Sequence, residues 1–278
     1  MKNGYIRLLI LSLMGALLFS ACGSISTQPL PPTAPPLVIL KISGSGTITT
    51  VLESLAPAFE AATPGYKLEV LSGSSTGSGV TGILEGLLDA AAMARAPKDE
   101  ETAKNIKYYK MGLVGQAIIV HPTVTGIASL SNQQITDIFS GQITYWSEVG
   151  GPNLKIALYV RDEDDSSTKG LRKVIFGETP FPDTAKTLYS QSDMIFSVQG
   201  TPGAIGVAAW PSTLATTKSI QAIAINGIKP DEASYSILGS AGIGYLAERE
   251  SDIQPLINWL DSTDGQSALK RLGFVPTK

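Results

Sequence analysis

The sequence holds one cysteine, one histidine and little charge, and each shortage closes off a chemistry. Cys22 has no second cysteine for an internal disulfide, and one cysteine with one histidine cannot assemble a zinc site in the usual way. The lone imidazole, His121, stands directly before Pro122, and no nucleophile with a partnered base is visible. His121 reads as a surface or strand-edge residue. Charged residues make up 16% of the chain, the formal charge is −3 and Lys and Arg form no cluster, which argues against nucleic acid as a partner. The acidic run Asp162 to Asp165 lacks the spaced D-x-D-x-D-G loop and distal Glu of a calcium site, so it reads mainly as a solvated turn. Beyond the N-terminus no apolar stretch reaches the about 18 residues of a membrane span. Apolar residues nevertheless reach 43%, which excludes disorder for the body of the chain.

At the N-terminus, Lys2 and Arg7 precede an apolar run from Leu8 to Phe19, interrupted by Ser12 and Gly15 and closed by Ser20-Ala21-Cys22. A basic start, a short apolar run and small residues at the cleavage point make residues 1–21 a secretory signal peptide. The stretch F-S-A-C at 19–22 resembles a bacterial lipobox, which implies that Cys22 becomes the lipid-modified first residue of a membrane-anchored, extracytoplasmic chain. Residues 22–36, with prolines at 29, 31, 32, 35 and 36, read as an extended tether. Removal of Lys2 and Arg7 with the signal leaves a more acidic chain, so any bound anion must be held by local dipoles rather than by global charge.

Two stretches rich in glycine and hydroxyls organise the chain beyond the tether: S-G-S-G-T at 43–47 and S-G-S-S-T-G-S-G-V-T-G at 72–82. Strand-like runs, 37–42 and 67–71, precede them. Helical faces come after them, with Ile48, Val51, Leu52, Leu55 and Phe59 after the first and Val80, Ile83, Leu84, Leu87 and Leu88 after the second. Pro57 is expected to kink the first helix or to leave one carbonyl unpaired. The first-turn N–H groups of a helix carry partial positive charge, and in parallel α/β sheets such turns share the edge where ligands bind. A third unit joins a strand over 154–160 to R-D-E-D-D-S-S-T at 161–168 and a helix carrying Leu171, Val174 and Ile175. Further strands are expected over 89–95, 114–120, 203–210 and 220–225. Further helices are expected over 131–141, 253–260 and 267–272, the first with Ser131 and Gln134 at capping-box spacing and Gly141 at its end, the last ended by Gly273. Trp146, Trp210 and Trp259 read as packing residues. Gly77, Gly79 and Gly82 satisfy G-x-G-x-x-G, but Ser72 to Thr76 intervene after the strand, and no G-K-[ST] follows either loop, so neither a dinucleotide nor a nucleotide cofactor is supported. Three loops of N–H groups and hydroxyls remain, with Arg95 and Arg161, and together they point to an anion site.

The chain resembles the phosphate-binding components of bacterial ABC importers over nearly everything from Lys41 onward. The residues that carry the resemblance are G-S-G-T at 44–47, P-G at 64–65, T-G-S-G-V at 76–80, M-A-R at 93–95, I-F-S-G-Q-I-T-Y-W-S-E-V-G-G at 138–151, P-G-A-I-G at 202–206 and D-G-Q-S-A-L-K-R-L-G-F-V-P at 264–276. The resemblance implies an α/β fold, the two-domain periplasmic-binding-protein fold of type II, each domain a mainly parallel sheet flanked by helices with the ligand in a cleft that closes by hinge motion. Crossings near Gln116 and Val207 would make domain one 37–115 with 208–278 and domain two 116–207. It implies an oxyanion, phosphate foremost, held by Ser45, Thr47 and the Ile48 N–H, by Thr76, Gly77 and Ser78, by Arg95, and by Arg161 with Asp165, Ser166, Ser167 and Thr168. No metal, cofactor or catalytic group is implied; the implied partners are ABC permease subunits and, through Cys22, the membrane, with the chain itself a monomer. Two departures stand out: Ala94 occupies a position where the family carries Ser or Asp, and the Arg161 loop is one residue longer than the family's. An ionised carboxylate accepts the proton of hydrogen phosphate and repels sulfate, so Asp165 or Asp164 is expected to take that role from position 94. Competing readings are an anion sensor or scavenger without a transporter, a tungstate, molybdate or sulfate binder, and an enzyme using the same cleft.

Overall fold

Apolar runs bounded by glycine and hydroxyl residues set the alternation of strand and helix in the computed structural model, which describes residues 36–73, 75–163 and 165–277. The signal peptide, Cys22, the tether before Pro36 and Asp164 lie outside the described residues. The chain opens β1 (Val38–Gly44), α1 (Gly46–Ala62), β2 (Tyr66–Val70), α2 (Thr76–Leu84), β3 (Ala90–Met93) and α3 (Asp99–Thr102). It continues through β4 (Ile106–Val120), β5 (Ser129–Leu130), α4 (Asn132–Phe139), β6 (Ala157–Arg161), α5 (Ser166–Leu171), β7 (Lys186–Leu188), α6 (Gln191–Gly200) and β8 (Ala204–Ala209). It closes with α7 (Trp210–Thr216), β9 (Gln221–Ile225), β10 (Leu238–Leu246), α8 (Glu250–Asp261) and α9 (Thr263–Arg271).

Local signals fall where the sequence placed them. Ser131 and Gln134 form a reciprocal capping box on α4, and Gly141 and Gly273, at φ +78° and +77°, take the left-handed conformation that ends a helix. Pro57 is accommodated inside a continuous α1, on its solvent-exposed side. Trp146 is fully buried and its indole N–H donates to the Gly203 carbonyl at 2.9 Å, while Trp259 lies in the first core, as packing residues should.

The sheet path reads β2-β1-β3-β10-β4-β8-β6-β7. β1 is parallel to β2 and β3, and β10 is antiparallel to both β3 and β4, so β1 to β4 run one way. β4 is the 15-residue strand that joins the two halves: Ile106–Gly115 pairs with β10, and Gln116–Val120 pairs with β8. β6 is parallel to β8 and β7, and β8 is antiparallel to β4, so β6 and β7 run against β4. The C-terminal ends of β1, β2 and β3 therefore point toward the second half, and those of β6 and β7 point back toward the first. That opposition is what brings strand-to-helix turns of the two halves to one region.

Packing divides along the same line. One core gathers Leu40, Val51, Phe59, Ile243, Leu256 and Phe274, and another gathers Ile118, Phe139, Trp146, Val160, Ile205 and Ile237. The other face of β4, β6 and β8 carries Ala117, Ile119, Tyr159 and Ala208 against Met194, Ile195 and Val198 of α6. Strands covered on both faces read as unbroken apolar runs, which is why all six residues of β8 are buried. After β8 the chain does not simply stay in the first half: α7 lies against α1, β9 returns to pair with the end of β4, and Tyr235 and Ile237 pack in the second core before β10 departs.

Candidate functional site

Close backbone contact at glycines builds the first half of the site. Gly44 ends β1 at φ +144°, and a Cβ there would lie 2.3 Å from the Ala92 carbonyl oxygen. A Cβ on Gly73 would lie 2.4 Å from the Gly44 oxygen, and one on Gly79 would lie 2.8 Å from the Gly44 Cα. Only glycine permits this seam, which presses the 43–47 loop, the 72–76 loop and the end of β3 together. Hydrogen bonds complete it: Ser43 Oγ donates to the Ser72 carbonyl at 3.0 Å, the Ser45 amide to Ala92 at 2.8 Å, and the Ala94 amide to Thr76 Oγ1 at 3.0 Å. At its surface the amides of Gly46, Thr47, Thr76 and Gly77 find no acceptor among the described residues.

Individual residues of the two loops divide by role. Ser45 holds the N-cap position of α1 but caps nothing with its side chain, and Thr47 is half-buried beside it. The Ile48 N–H donates to the Ser45 carbonyl at 3.0 Å, and the Ile48 side chain is fully buried in the first core. Ser78 is likewise a capping residue, since its amide donates to Ser75 Oγ and its hydroxyl closes the box with Ser75. Gly77 is exposed at the second position of α2.

Arg95 is paired with a carboxylate of the chain. Nη1 and Nη2 each donate to one oxygen of Glu101 at 2.7 Å, a bidentate pair that draws the guanidinium to the start of α3. Glu101 further accepts the Lys98 amide, and the Arg95 bonds hold its pKa down at about 2 against the burial that raises it. A folded-state pKa below the unfolded one gives stability that is present above about pH 4.5 and is lost as pH falls toward 2. Glu101→Gln is expected to lower stability by about 1–2 kcal/mol at neutral pH, less than the full shift because Arg95 is one-third exposed and screened. Denaturant melts should show the gap to wild type shrinking below pH 4.5; a gap unchanged down to pH 3 would reject the pair as its cause.

The second half of the site starts where β6 ends. The Arg161 side chain is only 10% exposed, its Nη2 donates to Asp165 Oδ2 at 2.8 Å and to the Tyr189 carbonyl at 3.0 Å, and Nε and Nη1 are buried without a hydrogen-bond partner among the described residues. Asp165 is the N-cap of α5: Oδ1 accepts the Ser167 amide at 2.9 Å and the Ser167 hydroxyl, while Oδ2 takes Arg161. Asp165 thus caps α5 and orients Arg161. Ser167 and Thr168 are buried, and Thr168 Oγ1 donates to the Arg161 carbonyl at 3.2 Å, so these hydroxyls brace the turn. Ser166 opens α5. The structure thus joins Ser45, Thr47, Thr76, Gly77 and Ser78 into one cluster and Arg161, Asp165, Ser167 and Thr168 into another, and no hydrogen bond among the described residues links the two. The sequence reading missed the turn from β7 to α6, although Ser190 and Asp193 carry capping spacing and the Ser190 hydroxyl does accept the Asp193 amide at 3.0 Å.

A groove of about 340 Å³ opens elsewhere in the second half, between Ile143, Tyr145, Lys155, Tyr159, Pro182 and Lys186. None of the residues expected to hold an anion lines it. Among the described residues no group of His, Cys, Asp and Glu is placed to hold a metal ion, and no helix is long and apolar enough to cross a membrane.

Residues 30–264 match the family model described as the PBP superfamily domain. Among curated proteins, the phosphate-binding protein PstS of Bacillus subtilis is 27% identical over 245 residues, covering 85% of this chain and 80% of its own. The phosphate-binding protein PstS of Borreliella burgdorferi is 22% identical over 255 residues, with 86% and 90% covered. Among solved structures, one described as a phosphate ABC transporter substrate-binding protein from Clostridium perfringens with bound phosphate aligns with a TM-score of 0.70 at 24% identity, covering 86% of this chain and all of that one. That likeness shows the fold, an α/β architecture of the periplasmic-binding type.

Proposed function

Because the chain belongs to the PBP superfamily, we propose that it captures inorganic phosphate outside the cell membrane and delivers it to an ABC importer. The observation that carries this reading is Arg161, whose Nε and Nη1 are buried donors on a cation with no acceptor among the described residues. An oxyanion placed there takes charge-assisted hydrogen bonds worth about 1.5–3 kcal/mol each. The amides of Gly46, Thr47, Thr76 and Gly77, without an acceptor among the described residues, supply donors from the other half that need no further charge. The names of the relatives in Bacillus and Borreliella support phosphate as the anion.

In this reading the two cores belong to two lobes that meet along β4, and closure brings the two donor clusters onto one ligand. Cys22 carries the lipid that keeps the lobes at the membrane, residues 22–36 are the tether, and the working unit is a monomer that binds without chemistry. Calorimetric titration of the chain from Pro36 onward with phosphate, arsenate, sulfate, molybdate and tungstate tests the proposal. Phosphate and arsenate are expected to bind with one site each; tight binding of tungstate or sulfate and none of phosphate would overturn it.

A further inference from the structure

We infer that Gln191 is a further ligand-contacting residue of this site, donating through its carboxamide Nε2 to the oxyanion that Arg161 holds. Among the described residues Gln191 Nε2 is buried without a hydrogen-bond partner, the same condition as Arg161 Nε and Nη1. Backbone pairing puts the two residues at one edge of the sheet, since β6 and β7 are parallel with Arg161 opposite Leu188, and Gln191 opens α6 a few residues on. The Tyr189 carbonyl accepts from Arg161 Nη2, so the guanidinium lies against the turn that leads into α6. Strand alternation agrees: Arg161 shares a face of β6 with Tyr159, and that is the face on which Met194, Ile195 and Val198 of α6 pack. Three buried donors therefore belong to the residue that ends β6 and to one that follows β7 by a few positions, and a buried donor with no acceptor bears the full cost of its desolvation.

The inference rests on the reading of this cleft as an oxyanion site and adds to it a neutral donor from a second strand-to-helix turn. A carboxamide N–H contributes a hydrogen bond but no charge, so it strengthens phosphate and arsenate alike. Isothermal calorimetry with inorganic phosphate on wild type, Gln191→Met and Gln191→Glu, beside thermal melts without ligand, tests it. Gln191→Met is expected to weaken phosphate binding about tenfold or more while leaving the ligand-free Tm unchanged or higher, because it removes a buried donor that makes no bond. Gln191→Glu is expected to weaken binding further by placing a second anion at the ligand. Wild type that binds phosphate with Gln191→Met within twofold of it, or a Gln191→Met protein whose ligand-free Tm falls, overturns the assignment of Gln191 alone. Wild type that binds neither phosphate nor arsenate overturns the oxyanion reading itself.

Discussion

Arg161→Met is expected to weaken phosphate binding at least about a hundredfold, the loss of two charge-assisted hydrogen bonds at about 1.5–3 kcal/mol each. The side chain is nine-tenths buried, so water offers little competition for these bonds, and its position is already set by Asp165 Oδ2 and the Tyr189 carbonyl. Asp165 stays occupied in the variant through the Ser167 amide and hydroxyl, which keeps α5 capped and separates lost binding from lost folding. Arg161→Lys retains the charge but not the planar fork, and an intermediate loss is expected from it. Calorimetry on the two variants, with circular dichroism to establish that both are folded, is the measurement. A methionine variant that binds phosphate like wild type would remove Arg161 from the site.

Gly79 tests the seam that assembles the other cluster, and two effects of opposite sign compete there. Gly79 lies inside α2, where alanine is the better helix former by about 1 kcal/mol, so propensity alone predicts that Gly79→Ala stabilises. The added Cβ, however, would stand 2.8 Å from both the Gly44 Cα and the Ser43 carbonyl oxygen and 3.2 Å from the Ala91 Cβ. Two of those three neighbours are backbone and cannot rotate away, and overpacking of this kind costs about 1–3 kcal/mol or more. Packing wins. Gly79→Ala is expected to be net destabilising by about 1–2 kcal/mol, and Gly79→Val by roughly 3 kcal/mol, with phosphate affinity falling in both as α2 is pushed from the 43–47 loop. Urea melts decide it, and an alanine variant more stable than wild type would show that the seam yields more readily than its distances imply.

Arg95 and Arg161 show where sequence reasoning about the site stops. Each stands at the end of a strand-like run, and the sequence alone treats them as equivalent cations. Arg95 meets Glu101, six positions on, in a bidentate pair, whereas Arg161 is turned inward with two nitrogens unpaired. The same holds for hydroxyls: Ser78 and Ser167 sit in ligand-like loops yet serve caps, while Thr76 Oγ1 ties α2 to the Ala94 amide. Ala94 thus contributes through its backbone, in a position where no polar side chain stands.

What the sequence determined by itself was local. Apolar runs specified β1, β6, β8 and β9, helical spacing specified α1, α8 and α9, and Ser131, Gly141 and Gly273 marked helix ends, because each of these depends on contacts within a few residues. Only the tertiary structure decided β10. Its sequence, L-G-S-A-G-I-G-Y-L, has the glycine content of a loop, yet it pairs with both β3 and β4, and a Cβ on Gly242 would stand 2.1 Å from the Tyr109 carbonyl oxygen. Those glycines make sense only once strands more than a hundred residues away lie beside them. The orphaned nitrogens of Arg161 and Gln191 are decided in the same way, since burial and partnership are properties of the assembled sheet edge and not of any stretch of chain.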